Sequence, residues 1–181
     1  FLGDALLEAL HRAAGEEITG SRGSHSLNIG VSTSPELLAD DSDRNRTSPF
    51  AFTGNKFEFR MVGASQSIAF ANTVLNTILA DSFNAFAIYF EEEGFSPATV
   101  RRVIDETLRA HGRVVFNGDN YTARWAEEAE SRGLPVIGDT VEALKALEDE
   151  KNWKLLGRFG VLTPAECASH QEIMTENYNN V

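Results

Sequence analysis

The sequence has a single cysteine, Cys167, and four widely separated histidines, His11, His25, His111 and His170. A lone thiol excludes an intrachain disulfide and any multi-cysteine metal cluster, and no two histidines have the spacing of a metal-binding pair. Cationic residues are scarce: 16 Lys plus Arg face 27 Asp plus Glu, a formal net charge of -11. Such a field repels a phosphate backbone, so nucleic-acid binding is not expected. Neither Gly-x-Gly-x-x-Gly nor a Gly-Lys-Ser/Thr phosphate loop occurs. The longest uncharged stretches, between Gly63 and Phe90, are interrupted by Gln66, Asn72, Asn76, Asp81 and Asn84. Lipid would leave these groups unsatisfied, so no membrane span is expected. No secretory or transit signal is visible, and Phe1 falls directly in an apolar pattern, as in a chain entered within a domain. The expectation is a reducing, cytoplasmic setting.

What is present suffices for a core: 181 residues, 42% of them hydrophobic. Leu2, Leu6 and Leu10 recur four apart, which predicts an amphipathic helix over residues 1–14 stopped near Gly15. Residues 20–26 have no periodicity and read as a linker-like loop, so no function is placed on His25. Leu27, Ile29 and Val31 alternate as a short strand, and residues 32–55 read as a long irregular connection. From Lys56 to Val62 the period is two, with Phe57, Phe59 and Met61 on one face and Lys56, Glu58 and Arg60 on the other. After Gly63 the period becomes helical, with Val74 and Ile78 in one row and Leu75, Leu79, Phe83 and Phe86 in the next. The cluster Phe83, Phe86, Tyr89 and Phe90 reads as core or a subunit contact rather than a ligand cage.

Beyond Gly94 short capped helices dominate. Ser96-Pro97 starts one that stops at Gly112; Arg113 to Phe116 is a short apolar run ending in the turn Asn117-Gly118-Asp119-Asn120. Another helix is expected from about Thr122 to Arg132. Asp139 with Glu142 predicts a capped helix reaching about Asp149, and Thr163-Pro164-Ala165-Glu166 combines an N-cap, a proline at the first helical position and a capping glutamate. Cys167, early in that helix, is expected to be a half-buried structural thiol.

Two segments could carry chemistry. Lys56, Glu58 and Arg60 present cation, carboxylate and cation on one strand face, which could hold a divalent cation through Glu58 and attract phosphate or carboxylate through the cations. On the residues alone, a solvated face of alternating charge is the simpler account. Upstream, Asp43-Arg44-Asn45-Arg46-Thr47-Ser48-Pro49 offers two guanidinium groups, an amide and two hydroxyls, a set that can cradle an anion or make an ordinary polar turn.

The run Asn45-Arg46-Thr47-Ser48-Pro49-Phe50-Ala51-Phe52-Thr53-Gly54-Asn55-Lys56-Phe57-Glu58-Phe59-Arg60 resembles glutamine synthetase, in its large type III form. The likeness continues through Met61 to Ser67, Asn72 to Thr77, Phe116-Asn117-Gly118-Asp119, Trp125, and Val161 to Tyr178. Phe1-Leu2-Gly3-Asp4 is also similar to the helix that follows that family's central catalytic segment. The resemblance covers almost all of the chain apart from the loop near residues 15–26.

The resemblance implies an α+β fold, with residues 1–94 the C-terminal part of the family's catalytic α/β domain and residues 95–181 a mainly helical C-terminal extension. It implies ATP-dependent ligation of ammonia to L-glutamate through γ-glutamyl phosphate, with Mg2+ or Mn2+, in a homo-oligomer that is dodecameric in the family. By motif position Glu58 corresponds to a divalent-metal ligand. Arg60 corresponds to a catalytic and substrate-binding arginine near the transferred phosphoryl group or the glutamate carboxylate. Arg46 corresponds to the phosphate-contacting arginine of the Asn-Arg-Ser/Thr element, and Lys56 stands where commoner forms have an arginine near the nucleotide. Where those forms have Arg-Ile-Pro, this chain has Phe50-Ala51-Phe52. One carboxylate and a few cations do not make a complete phosphoryl-transfer site, so the 181 residues alone are expected to be inactive. The alternative is a noncatalytic structural or regulatory protein that reuses the fold.

Overall fold

The computed structural model describes residues 1–15, 26–27, 37–38, 48–60, 66–119 and 122–180. In chain order the elements are α1 (Asp4–Ala14), β1 (Ser26–Leu27), β2 (Leu37–Leu38), β3 (Phe50–Phe52), β4 (Phe57–Phe59), α2 (Ala69–Glu93), α3 (Pro97–His111), α4 (Ala123–Ser131), α5 (Thr140–Leu144), α6 (Glu150–Arg158) and α7 (Pro164–Asn179). Single 3-10 turns at Gly112–Val114 and Lys145–Glu148 follow α3 and α5. The described residues are thus mainly helical with two small antiparallel sheets, β1–β2 and β3–β4, an α+β arrangement. Two compact units cut across chain order, residues 1–62 with 95–134, and residues 63–94 with 135–181.

In the first unit α1 packs against α3. The leucines spaced along α1 are the reason: Leu6, Leu7 and Leu10 are half-buried, as are Val103, Ile104 and Leu108 of α3. Gly15 closes α1 at φ 92°, its amide donating to the Arg12 carbonyl at 3.0 Å, a left-handed conformation that strains any side chain. At the start of α3 the Thr99 amide donates to Ser96 Oγ at 3.2 Å and the Ser96 amide to Thr99 Oγ1 at 2.9 Å. Past His111 the short apolar run from residue 113 begins in a turn rather than in a strand. Arg113 and Val114 lie in a 3-10 turn closed by the Val115 amide on the Gly112 carbonyl at 3.0 Å.

The second unit packs α2 against α6, and α7 against α5, α6 and the 145–148 turn. Leu156 and Cys167 are buried. Thr77 is buried on α2, its hydroxyl donating to the Thr73 carbonyl at 2.8 Å. Phe70 meets the His170 ring at 4.3 Å, and Arg158 pairs with Asp81. A cleft of about 350 Å3 is lined by apolar side chains that include Val74, Ile78, Leu144, Leu147 and Leu155. The Asp139 cap is present, Glu142 N donating to Oδ1 at 2.8 Å, but α5 tightens to 3-10 geometry at Lys145 instead of running as one helix to Asp149. The Thr163 cap forms in full: the Glu166 amide donates to Thr163 Oγ1 at 3.3 Å and the Thr163 amide to Glu166 Oε2 at 2.7 Å.

Helix α2 carries large apolar side chains on two opposite faces. Phe70, Val74 and Thr77 lie on one face; Leu75, Leu79, Phe83 and Phe86 follow each other on the opposite one, where Phe83 is 66% exposed. Phe83 is therefore not core in this chain. The Tyr89 and Phe90 rings meet edge to face at 5.6 Å. Among the described residues no helix is long and apolar enough to cross a membrane.

Candidate functional site

The hairpin β3–β4 carries three of the four residues singled out in the sequence. Its register pairs Phe50 with Phe59, Ala51 with Glu58 and Phe52 with Phe57. The loop between the strands turns at Gly54, φ 93°, and is closed by the Thr53 amide on the Lys56 carbonyl at 2.8 Å. A further bond, Arg60 N to the Pro49 carbonyl at 2.7 Å, extends the pairing past the strand ends.

Because side chains alternate across a strand, the hairpin has two unlike faces. One is aromatic: Phe50 and Phe57 stack at 5.1 Å and 13°, and Phe52 meets Phe57 at 5.3 Å. The other is charged, as the period of two from Lys56 predicts. Lys56 Nζ lies 3.0 Å from Glu58 Oε1, while Arg60 donates from Nε at 3.1 Å and Nη2 at 2.9 Å to Glu58 Oε2. Arg60 foremost, then Lys56, holds the Glu58 carboxyl below its ordinary pKa.

Ion pairs this exposed add little to stability, since water screens them and ordering long side chains costs entropy. Lys56 is 64% exposed and Glu58 36%. What the arrangement does is present two cations around one carboxylate on a half-buried strand face, which suits an oxyanion with spread charge.

It suits a metal less well. A divalent cation takes several oxygen ligands in one place. Among the described residues no group of three or more His, Cys, Asp or Glu side chains converges, and both Glu58 oxygens already face cations. The described residues therefore do not by themselves fit a divalent-metal centre.

Arg46, with Asp43, Arg44, Asn45 and Thr47, lies outside the described residues, as do Ile29, Val31, Met61 and Val62. The sequence reading missed β3 by placing Phe50-Ala51-Phe52 in an irregular connection. The signal was the alternation Phe-Ala-Phe, then Thr-Gly-Asn-Lys, then Phe-Glu-Phe, which is a hairpin pattern of two very short strands. It read Asn117 only as a turn residue, yet its side chain binds the start of α1. Cys167 is buried, and burial, with Glu166 adding to it, pushes the thiol up from its ordinary pKa, which agrees with a structural residue.

Comparison with known proteins gives one consistent answer. A family described as the glutamine synthetase C-terminal domain matches residues 99–181. The type-3 glutamine synthetase of Dictyostelium discoideum is 46% identical over 182 aligned positions, 99% of this chain and 25% of the relative. A glutamine synthetase of Bacteroides fragilis is 37% identical over 84% of this chain and 21% of the relative. One of Butyrivibrio fibrisolvens is 35% identical over 99% of this chain and 26% of the relative. The chain thus spans about a quarter of the length of the curated relatives it matches. By full-chain similarity and by its C-terminal domain, the chain belongs to the glutamine synthetase family and corresponds to the C-terminal part of the type III form.

Proposed function

We propose that the protein carrying this chain is an ATP-dependent ligase that joins ammonia to L-glutamate. A glutamate side-chain oxygen attacks the terminal phosphorus of ATP and ADP leaves; ammonia then adds to the carbonyl carbon of γ-glutamyl phosphate, and the tetrahedral adduct expels phosphate to give glutamine. The observation that carries this reading is the charged face of β4, within a chain 46% identical over nearly its whole length to a type-3 glutamine synthetase.

Both steps move negative charge among phosphoryl and carboxyl oxygens, and fixed cations lower that cost if they are already oriented. Arg60, held by Glu58 through two nitrogens, is oriented before substrate arrives. We assign it the oxygens of the transferred phosphoryl group or of the glutamate carboxylate. Lys56, on the same face, and Arg46 serve the nucleotide phosphates. Mg2+ or Mn2+ would neutralise phosphate charge when bound; its ligands would come from outside the described residues, since both Glu58 oxygens already face Lys56 and Arg60.

On this reading residues 1–94 complete a catalytic α/β domain and residues 95–181 are its helical extension. The whole protein is cytoplasmic and assembles as a homo-oligomer, a dodecamer. The 181 residues alone do not turn over, since one carboxylate does not assemble the charge balance of phosphoryl transfer.

The test is phosphate release by the whole protein with ATP, glutamate and ammonia. Release should require all three and match glutamine formed, and hydroxylamine in place of ammonia should trap the acyl phosphate as the γ-hydroxamate. Phosphate release indifferent to glutamate and ammonia would be plain ATP hydrolysis and would sink the reading, and no release at all in an assembled protein would sink it in favour of a noncatalytic role.

A further inference from the structure

The segment before α1 is tied on both sides. On one side the Phe52 amide of β3 donates to the Phe1 carbonyl at 3.0 Å. On the other, Asn117 Oδ1 accepts from the amides of Leu2 and Gly3, each at 3.2 Å, and Asn117 Nδ2 donates to Asp4 Oδ1 at 3.2 Å. Helix α1 has no capping side chain of its own, because Gly3 precedes it at φ 77°. What holds the backbone leading into the helix is a residue 114 positions away in the sequence.

Asparagine is the residue type this geometry requires. Two backbone donors need an acceptor oxygen and the Asp4 carboxylate needs an N–H, and only a side-chain amide of this length offers both. Aspartate would satisfy the two amides but set a carboxylate against Asp4.

Asn117 is itself held. Arg132 Nη1 donates to the carbonyls of Val115 at 2.8 Å and Arg113 at 3.1 Å. The Phe116 ring lies 4.3 Å from Trp125, over which the Arg132 guanidinium sits at 6.0 Å. Gly118 leaves the Phe116 ring its place, since a Cβ there would come within 2.7 Å of it. So α4 fixes the 113–118 segment, that segment fixes residues 2–4, and residue 1 meets β3, which pairs Ala51 with Glu58.

We propose that Asn117 is a positioning residue for the strand that bears Lys56, Glu58 and Arg60: through residues 1–4 and β3 it sets where the charged face stands. This rests on the function proposed above. Displacing catalytic groups by a fraction of an ångström to an ångström lowers turnover with less effect on binding.

The experiment compares Asn117→Ala, Asn117→Asp, Asp4→Asn, the double variant Asn117→Asp with Asp4→Asn, and Arg60→Ala, each in the whole, assembled protein. Asn117→Ala and Asn117→Asp should lower kcat for glutamine formation by roughly 10- to 100-fold, with KM values changed less. The double variant restores a donor facing an acceptor and should recover most of the kcat lost by Asn117→Asp, whereas adding Asp4→Asn to Asn117→Ala should recover nothing. That exchange does not depend on whether the alanine variant folds. If Arg60→Ala abolishes activity while both Asn117 variants keep wild-type kcat, or the double variant is no better than Asn117→Asp, the positioning role is wrong and the functional reading stands. If Arg60→Ala itself leaves activity unchanged, the reading fails and takes this proposal with it.

Discussion

In the unit that holds the hairpin, several of the contacts that fix the elements come from far along the chain: Asn117 holds residues 2–4 at the start of α1, Phe52 bonds to Phe1, and Arg132 holds the carbonyls of Arg113 and Val115. In the other unit the helices carry their own instructions. Thr163 and Glu166 cap α7 across three residues, Asp139 caps α5 in the same way, and the apolar faces that remain close over Leu156 and Cys167. The first unit carries a partly exposed, charged strand face, the second an apolar core and cleft. The two units should therefore feel substitutions differently. A side chain removed from the helical unit should cost stability; one removed from the charged strand should cost chemistry.

The largest stability effect expected is from Leu156→Ala. The side chain is only 4% exposed, and truncating a buried leucine costs about 2–5 kcal/mol. A fall in the denaturant midpoint of the 181-residue chain measures it; a loss comparable to that of an exposed leucine would break the comparison. Thr163→Ala comes next, at about 1 kcal/mol, because it removes one half of the α7 cap. Hydrogen exchange of the first-turn amides of α7 should accelerate in that variant while α3 amides keep their rates.

Smaller still are the pH effects. Glu58 and Glu166 both titrate below the ordinary glutamate range, Glu58 through Arg60 and then Lys56, Glu166 through the Thr163 amide and then its hydroxyl. A carboxyl whose folded pKa is lowered contributes stability that is complete above its unfolded pKa and is lost as pH falls through the folded one. Both contributions should therefore vanish on acidification below the usual carboxylate range. Carboxyl NMR should show Glu58 moving upward in Arg60→Ala and less in Lys56→Ala; the reverse order would show that Lys56 dominates the face. Cys167 should react slowly with a thiol reagent at neutral pH in the folded chain and quickly in denaturant.

A contrast between local and distant signals, which runs through the first unit as well, explains what is legible in the sequence. The helix at residues 4–14, the Ser96-Pro97 start and the Thr163 cap were legible because their signals lie within a turn or two of the structure they cause. The charged face was legible from its period of two. β3 was not, because three residues give too short a pattern and its pairing depends on β4. Asn117 looked like a turn residue because nothing local shows that its amide serves residues 2–4. The family assignment of Glu58, Arg60, Lys56 and Arg46 came from motif likeness, and of these the structure brings Lys56, Glu58 and Arg60 together.

The most direct test of this division is kcat for glutamine formation by Arg60→Ala in the assembled whole protein, with its melting temperature measured on the same sample. Loss of one preorganised cation facing a developing oxyanion should lower kcat by about 10^2-fold or more. The melting temperature should fall much less than it does in Leu156→Ala, since no buried apolar side chain is lost. An unchanged kcat, or a loss of activity that tracks a collapse in melting temperature, would contradict the claim that the charged strand is there for chemistry.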